Sequence, residues 1–126
     1  MKKNSGGEWI LVVEDDEDIS SLVESLLTSD GYNVVIAHDG EEGERVFKAE
    51  KKFDLVITDL GLPKIGGVEL FHRLSSIRPD LKVIASSGYG HANVVEQLIR
   101  DGVKAFVPKP YVAKEFLQTV REVLDE

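Results

Sequence analysis

Asp54-Leu55-Val56-Ile57-Thr58-Asp59-Leu60-Gly61-Leu62-Pro63 is the stretch on which the fold turns. Residues 55–58 form an almost unbroken apolar run that ends on a carboxylate and then on turn residues. A run of that length without in-out alternation marks a strand covered on both faces, as in a parallel sheet. Residues 10–13, 34–37, 83–85 and 105–107 are further runs of the same kind.

Stretches of helical period separate these runs. Ile19, Leu22, Val23, Leu26 and Leu27 recur at i, i+3, i+4, i+7 and i+8, one apolar stripe, and Gly31 stops the helix. Asp39 caps a second helix with Val46 and Phe47 on its inner face. Val68, Phe71, Leu74 and Ile77 make a third, ended by Pro79. Val94, Val95, Leu98 and Ile99 make a fourth, ended by Gly102, and Phe116, Leu117, Val120, Val123 and Leu124 make a fifth. The pattern is (βα) five times over. It predicts an α/β fold, a doubly wound five-stranded parallel sheet with helices on both faces and right-handed crossovers. Five strands suit the flavodoxin-like order 2-1-3-4-5 better than a six-stranded dinucleotide fold.

Composition narrows the function. The 126 residues are the size of one domain, with 42% hydrophobic and 30% charged residues, as in a globular protein. The net charge of −8 argues against direct nucleic-acid binding, which needs clustered Lys and Arg. There is no cysteine, which removes disulfides, thiolate metal sites and thiol nucleophiles and fits a reducing, cytoplasmic setting. No apolar run approaches the roughly 18–20 residues of a membrane span. Residues 1–8 read as a flexible lead-in or linker remnant and residues 9–126 as the domain.

In a doubly wound sheet, ligands gather at the carboxyl ends of the strands. Glu14, Asp15 and Asp16 follow the first strand, Asp59 ends the third, Ser86, Ser87 and Gly88 follow the fourth, and Lys109-Pro110 follows the fifth. Crowded carboxylates repel one another unless a cation joins them, and a hard divalent ion with oxygen ligands is the simple solution. Lys109 then serves as a point charge for a phosphate oxygen, Ser87 as a hydrogen-bond donor to another, and Asp59 as the nucleophile. Taken singly, each piece has an ordinary explanation. Acidic residues favour a helix N-terminus, Asp is frequent in turns, and Lys-Pro is a common loop dipeptide. The ordered set is what carries weight.

Residues 10–19, Ile-Leu-Val-Val-Glu-Asp-Asp-Glu-Asp-Ile, the 54–63 stretch with Gly66-Gly67 after it, and Lys109-Pro110 together resemble the response-regulator receiver domain of two-component systems. The resemblance extends from about Ile10 to Leu124. It implies a phosphorelay module in which Asp59 takes a phosphoryl group from a phosphohistidine on a histidine kinase or histidine phosphotransfer domain. It implies Mg²⁺, with Mn²⁺ as a substitute, held by Asp15, Asp59 and the backbone carbonyl of Gly61, with Glu14 acting through water. It places Ser87 and Phe106 at the two switch positions, Lys109 beside the phosphoryl group, and a candidate dimerisation surface on the fourth helix, fifth strand and fifth helix. The module is then a signalling domain rather than an enzyme.

Two positions depart from the common pattern. Gly61 lacks a side chain and Tyr89 is bulky, which leaves open how water reaches the acyl phosphate. Gly6-Gly7-Glu8 and Ser86-Ser87-Gly88-Tyr89 resemble receivers attached to hybrid sensor kinases, so an excised receiver is the expectation and a single-domain regulator the alternative. The rival functions on this fold are an aspartyl-phosphate phosphatase-like enzyme and a flavodoxin-like cofactor binder. The first wants a second acid where Gly61 stands, and the second wants a phosphate loop where Glu14 to Asp18 stand.

Overall fold

The computed structural model describes residues 7–50, 52–62, 64–88 and 92–126. Five strands, β1 (Trp9–Val13), β2 (Asn33–Ala37), β3 (Leu55–Asp59), β4 (Lys82–Ser87) and β5 (Ala105–Pro108), alternate with five helices. The helices are α1 (Glu17–Ser29), α2 (Gly40–Ala49), α3 (Gly67–Ile77), α4 (Ala92–Asp101) and α5 (Ala113–Leu124). The sheet is parallel in the order β2-β1-β3-β4-β5, as the pattern predicts. Residues 1–6 of the expected lead-in, residues 1–8, lie outside the described residues. Glu8, just before β1, is tied down: its carbonyl accepts from Asn33 N at 2.9 Å and its carboxylate receives Arg121 of α5 at 3.0 Å.

Two apolar layers sandwich the sheet because successive strand residues face opposite sides. Leu11, Val13, Val56, Val83 and Ala85 pack against Phe47, Leu70, Phe71, Leu74 and Leu98 of α2, α3 and α4. Ile10, Val12, Leu55, Ile57 and Ile84 pack against Val23, Leu27, Phe116, Val120 and Val123 of α1 and α5. Three residues of the expected stripes remain largely outside: Leu22 is 47% exposed, Ile77 43% and Ile99 44%. Each lies at the margin of its stripe, where a helix seated on a narrow sheet leaves a flank uncovered.

The helix ends follow their local sequences. Asp16 caps α1 by accepting from Ile19 N, and Asp39 caps α2 by accepting from Glu42 N. After α1, Gly31 adopts φ 95°, and Tyr32 N turns back to Leu27 O. That left-handed position suits glycine. Among the described residues no helix is long and apolar enough to cross a membrane.

The strands run further than their apolar runs. β3 includes Asp59 and β4 includes Ser86 and Ser87, so these polar residues belong to strands rather than to the loops after them. The ladder continues through their backbones: Asp59 pairs with Ser86, Leu60 N donates to Ser86 O at 2.8 Å, and Lys109 N donates to Ser87 O at 3.0 Å. Backbone pairing is indifferent to side-chain polarity, which is why an apolar run underestimates a strand.

Candidate functional site

The carboxyl edge of the sheet brings Glu14, Asp59 and Lys109 together. Lys109 Nζ lies 2.7 Å from Glu14 Oε1 and 3.3 Å from Asp59 Oδ1. Glu14 and Asp59 are buried, at 3% and 8% exposure. Asp15 is exposed, and one carboxylate oxygen from each of Glu14, Asp15 and Asp59 lies within 4.8 Å of the others. Adjacent central strands β1 and β3, in register with Val13 opposite Thr58, set this proximity. Glu14 is held further by Asp16 N, which donates to its Oε2 at 3.1 Å.

The electrostatics follow from burial and pairing. Burial pushes the Glu14 carboxyl above its ordinary value, against the Lys109 and Asp16 hydrogen bonds that favour its charge. Burial works to lower the Lys109 ammonium. The Glu14 hydrogen bond and the charges of Asp59 and Glu14 outweigh it, and its pKa is raised. Lys109 is therefore a fixed cation facing a partly solvated carboxylate cluster. Three carboxylates with oxygen donors this close suit a hard divalent cation, with solvent access through Asp15.

The other expected residues lie after β3, at the end of β4 and on β5. Gly61 lies in the exposed turn after β3, and a side chain there would begin 3.8 Å from Asp59 Oδ2. Ser87 is buried at the end of β4. Phe106 is half-buried on β5 and packs on the core layer shared with α4. Tyr89, expected beside Ser87, lies outside the described residues.

Two features escaped the sequence reading. Tyr111, two residues past Lys109, donates its hydroxyl to Ser86 Oγ at 2.7 Å and sets its ring 4.9 Å from that of Phe116. An aromatic residue following the lysine was the available signal, but its partner is 25 residues away in sequence. Gly67 opens α3 against the back of the acceptor strand, where an added Cβ would stand 2.3 Å from the Asp59 carbonyl oxygen. Only glycine permits that approach.

Comparison with known proteins bears on this arrangement. The family model described as the response regulator receiver domain matches residues 10–121. The chain is 34% identical over 117 residues to the transcriptional regulatory protein GlrR of Escherichia coli (strain K12), covering 93% of this chain and 26% of that protein. It thus spans about a quarter of that relative's length. It is 31% identical to the chemotaxis protein CheY of Treponema pallidum over 126 residues, covering 98% of this chain and 88% of that one. Its fold superposes on a response regulator receiver domain protein from Clostridium thermocellum with a TM-score of 0.89 at 28% identity, covering 94% of each chain.

Proposed function

The chain belongs to the response regulator receiver domain family, and from that premise we propose that Asp59 is its phosphoacceptor in a Mg²⁺-dependent phosphorelay. The observation that carries the reading is the placement of Lys109 Nζ against both Glu14 and Asp59, with the Asp15 carboxylate in the same cluster.

In this reading a phosphohistidine of a kinase or phosphotransfer domain meets Asp59 in line. An Asp59 carboxylate oxygen forms the new O–P bond as the P–N bond breaks, and the electron pair leaves with the imidazole. Asp15, Asp59 and the Gly61 carbonyl would hold the Mg²⁺, with Glu14 acting through water. The ion, or Mn²⁺ in its place, supplies charge neutralisation on the phosphoryl oxygens when bound. Lys109 turns from its carboxylates toward a phosphoryl oxygen, Ser87 donates to another, and Phe106 responds by changing its packing on the layer it shares with α4. Phosphorylation adds charge and acceptor oxygens, which biases the α4-β5-α5 face between two arrangements.

The partner's approach is supported by an apolar groove lined by Ile19, Leu22, Gly88, Pro110 and Tyr111 together with Lys109, the residue that contacts Asp59. Gly61 offers no second acid for ester hydrolysis, which weighs against a phosphatase. Without a metal, Glu14 to Asp18 after β1 would repel a nucleotide phosphate, and no phosphate loop stands there, which weighs against a flavin binder.

Intact mass after incubation with Mg²⁺ and acetyl phosphate tests the proposal. Wild type gains one phosphoryl group and Asp59→Asn gains none. Equal gain in both, or no gain and no Mg²⁺ binding in wild type, refutes it.

A further inference from the structure

We propose that Tyr111 is a positioning residue for Lys109: its hydroxyl, bound to Ser86, ties the β5–α5 loop to the end of β4 and holds the ammonium between Glu14 and Asp59. The inference deepens, and rests on, the phosphoacceptor reading of Asp59.

Three observations support it. The anchor is buried and belongs to the acceptor strand's neighbour. Ser86 is 1% exposed, pairs in register with Asp59, and its carbonyl accepts from Leu60 N at 2.8 Å. Whatever binds the Ser86 hydroxyl is therefore placed relative to Asp59 itself.

The tether is directional in two ways. The Tyr111 hydroxyl reaches Ser86 Oγ at 2.7 Å, while its ring lies 4.9 Å from Phe116 at an interplanar angle of 36°. The ring seats the loop on α5 and the hydroxyl fixes it to β4.

The loop has reason to need it. Lys109 N is bound to Ser87 O, but Pro110 has no N–H to offer. Lysine reaches its partners through a flexible four-carbon stem, so its ammonium is only as well placed as its backbone. Its contacts of 2.7 and 3.3 Å to two carboxylates leave little slack. Groups that orient a charge at a reacting centre lose effect with small displacements.

The test compares wild type, Tyr111→Phe, Ser86→Ala and the double variant, each with and without Lys109→Ala. Tyr111→Phe keeps the ring and removes only the hydroxyl. At saturating Mg²⁺ and acetyl phosphate, the maximal phosphorylation rate falls roughly three- to tenfold in either single variant, the worth of one hydrogen bond. The double variant falls no further, because both changes break one interaction. Mg²⁺ affinity rises by less than the severalfold gain of Lys109→Ala, since the loosened ammonium still competes for the carboxylates of the site. In the Lys109→Ala background Tyr111→Phe has no effect, and a merely structural role would persist there. An unchanged rate in Tyr111→Phe, or the same loss with and without Lys109, overturns the proposal. Relaxation of the ¹³C-labelled Lys109 ε-methylene supplies a readout independent of chemistry: it reports greater mobility in Tyr111→Phe. If wild type neither accepts a phosphoryl group nor binds Mg²⁺, the Asp59 reading fails, and unchanged Lys109 mobility separately sinks the positioning role.

Discussion

The ammonium of Lys109 lies closer to Glu14, at 2.7 Å, than to Asp59, at 3.3 Å. Its strongest partner is thus a neighbour of the acceptor rather than the acceptor itself. In the metal-free protein Lys109 neutralises a pair of buried acids that would otherwise repel each other.

Lys109→Ala should therefore destabilise the metal-free protein by about 2 kcal/mol, less than a fully enclosed pair because the cluster opens to solvent through Asp15. The same substitution should tighten Mg²⁺ binding severalfold, since a competing cation is gone. Urea melts without metal and calorimetric Mg²⁺ titration check the two halves. A variant that is destabilised and also binds Mg²⁺ more weakly would contradict the account.

An ion that binds only the folded cluster raises stability by mass action. At a free Mg²⁺ concentration a hundredfold above Kd, wild type should gain about 2.7 kcal/mol, read as an upward shift in Tm. Asp15→Asn should lose most of that response while melting near wild type without metal, because Asp15 is exposed. Equal Mg²⁺-induced shifts in the two proteins would remove Asp15 from the ligand set.

Stability should fall in acid partly through Asp39. Its carboxyl is held below the ordinary value, first by the Glu42 backbone N–H it caps and then by the charge of Lys64 against the cost of burial. A depressed folded-state pKa means that the contribution is complete above the unfolded value, about 4, and drains away as pH falls through the folded one. Asp39→Asn keeps a capping oxygen but cannot titrate, so its stability should decline less steeply below about pH 4. Thermal melts from pH 6 to 2.5 give the comparison, and parallel curves would refute the assignment.

Adjacent glycines at the start of α3 should behave differently. An alanine Cβ at Gly67 would stand 2.3 Å from Asp59 O and 2.7 Å from Leu60 Cα, both backbone atoms, whereas nothing lies within 4 Å of one at Gly66. Gly67→Ala should cost about 2 kcal/mol, as overpacking against backbone does. It should also slow phosphorylation by shifting the acceptor strand. Gly66→Ala should stay within about 1 kcal/mol, the loss at a helix cap, and phosphorylate at the wild-type rate. Denaturant melts and acetyl phosphate labelling read both effects.

The βα alternation and the acids and lysine of the carboxyl edge were legible in the sequence for a physical reason. Buried parallel strands demand unbroken apolar runs, and a doubly wound sheet delivers its functional groups just where those runs stop. The reading faltered where meaning depends on a distant partner. Nothing local to Tyr111 announces Ser86, and Gly67 reads as a helix opener until Asp59 is seen at its back. Leu22, Ile77 and Ile99 satisfy the helical period but remain exposed, because periodicity gives the direction of a stripe and not the width of what covers it.

The end of β4 also behaves as a junction. Ser86 shares the face of Ile84 and the α1–α5 layer, and reaches α5's packing through Tyr111. Ser87 shares the face of Val83 and Ala85 and the layer that holds α4. The two-residue period of a strand thus sends neighbouring hydroxyls to opposite halves of the molecule. This one strand end is in contact with both layers at once, and the branching is made by the pleat itself.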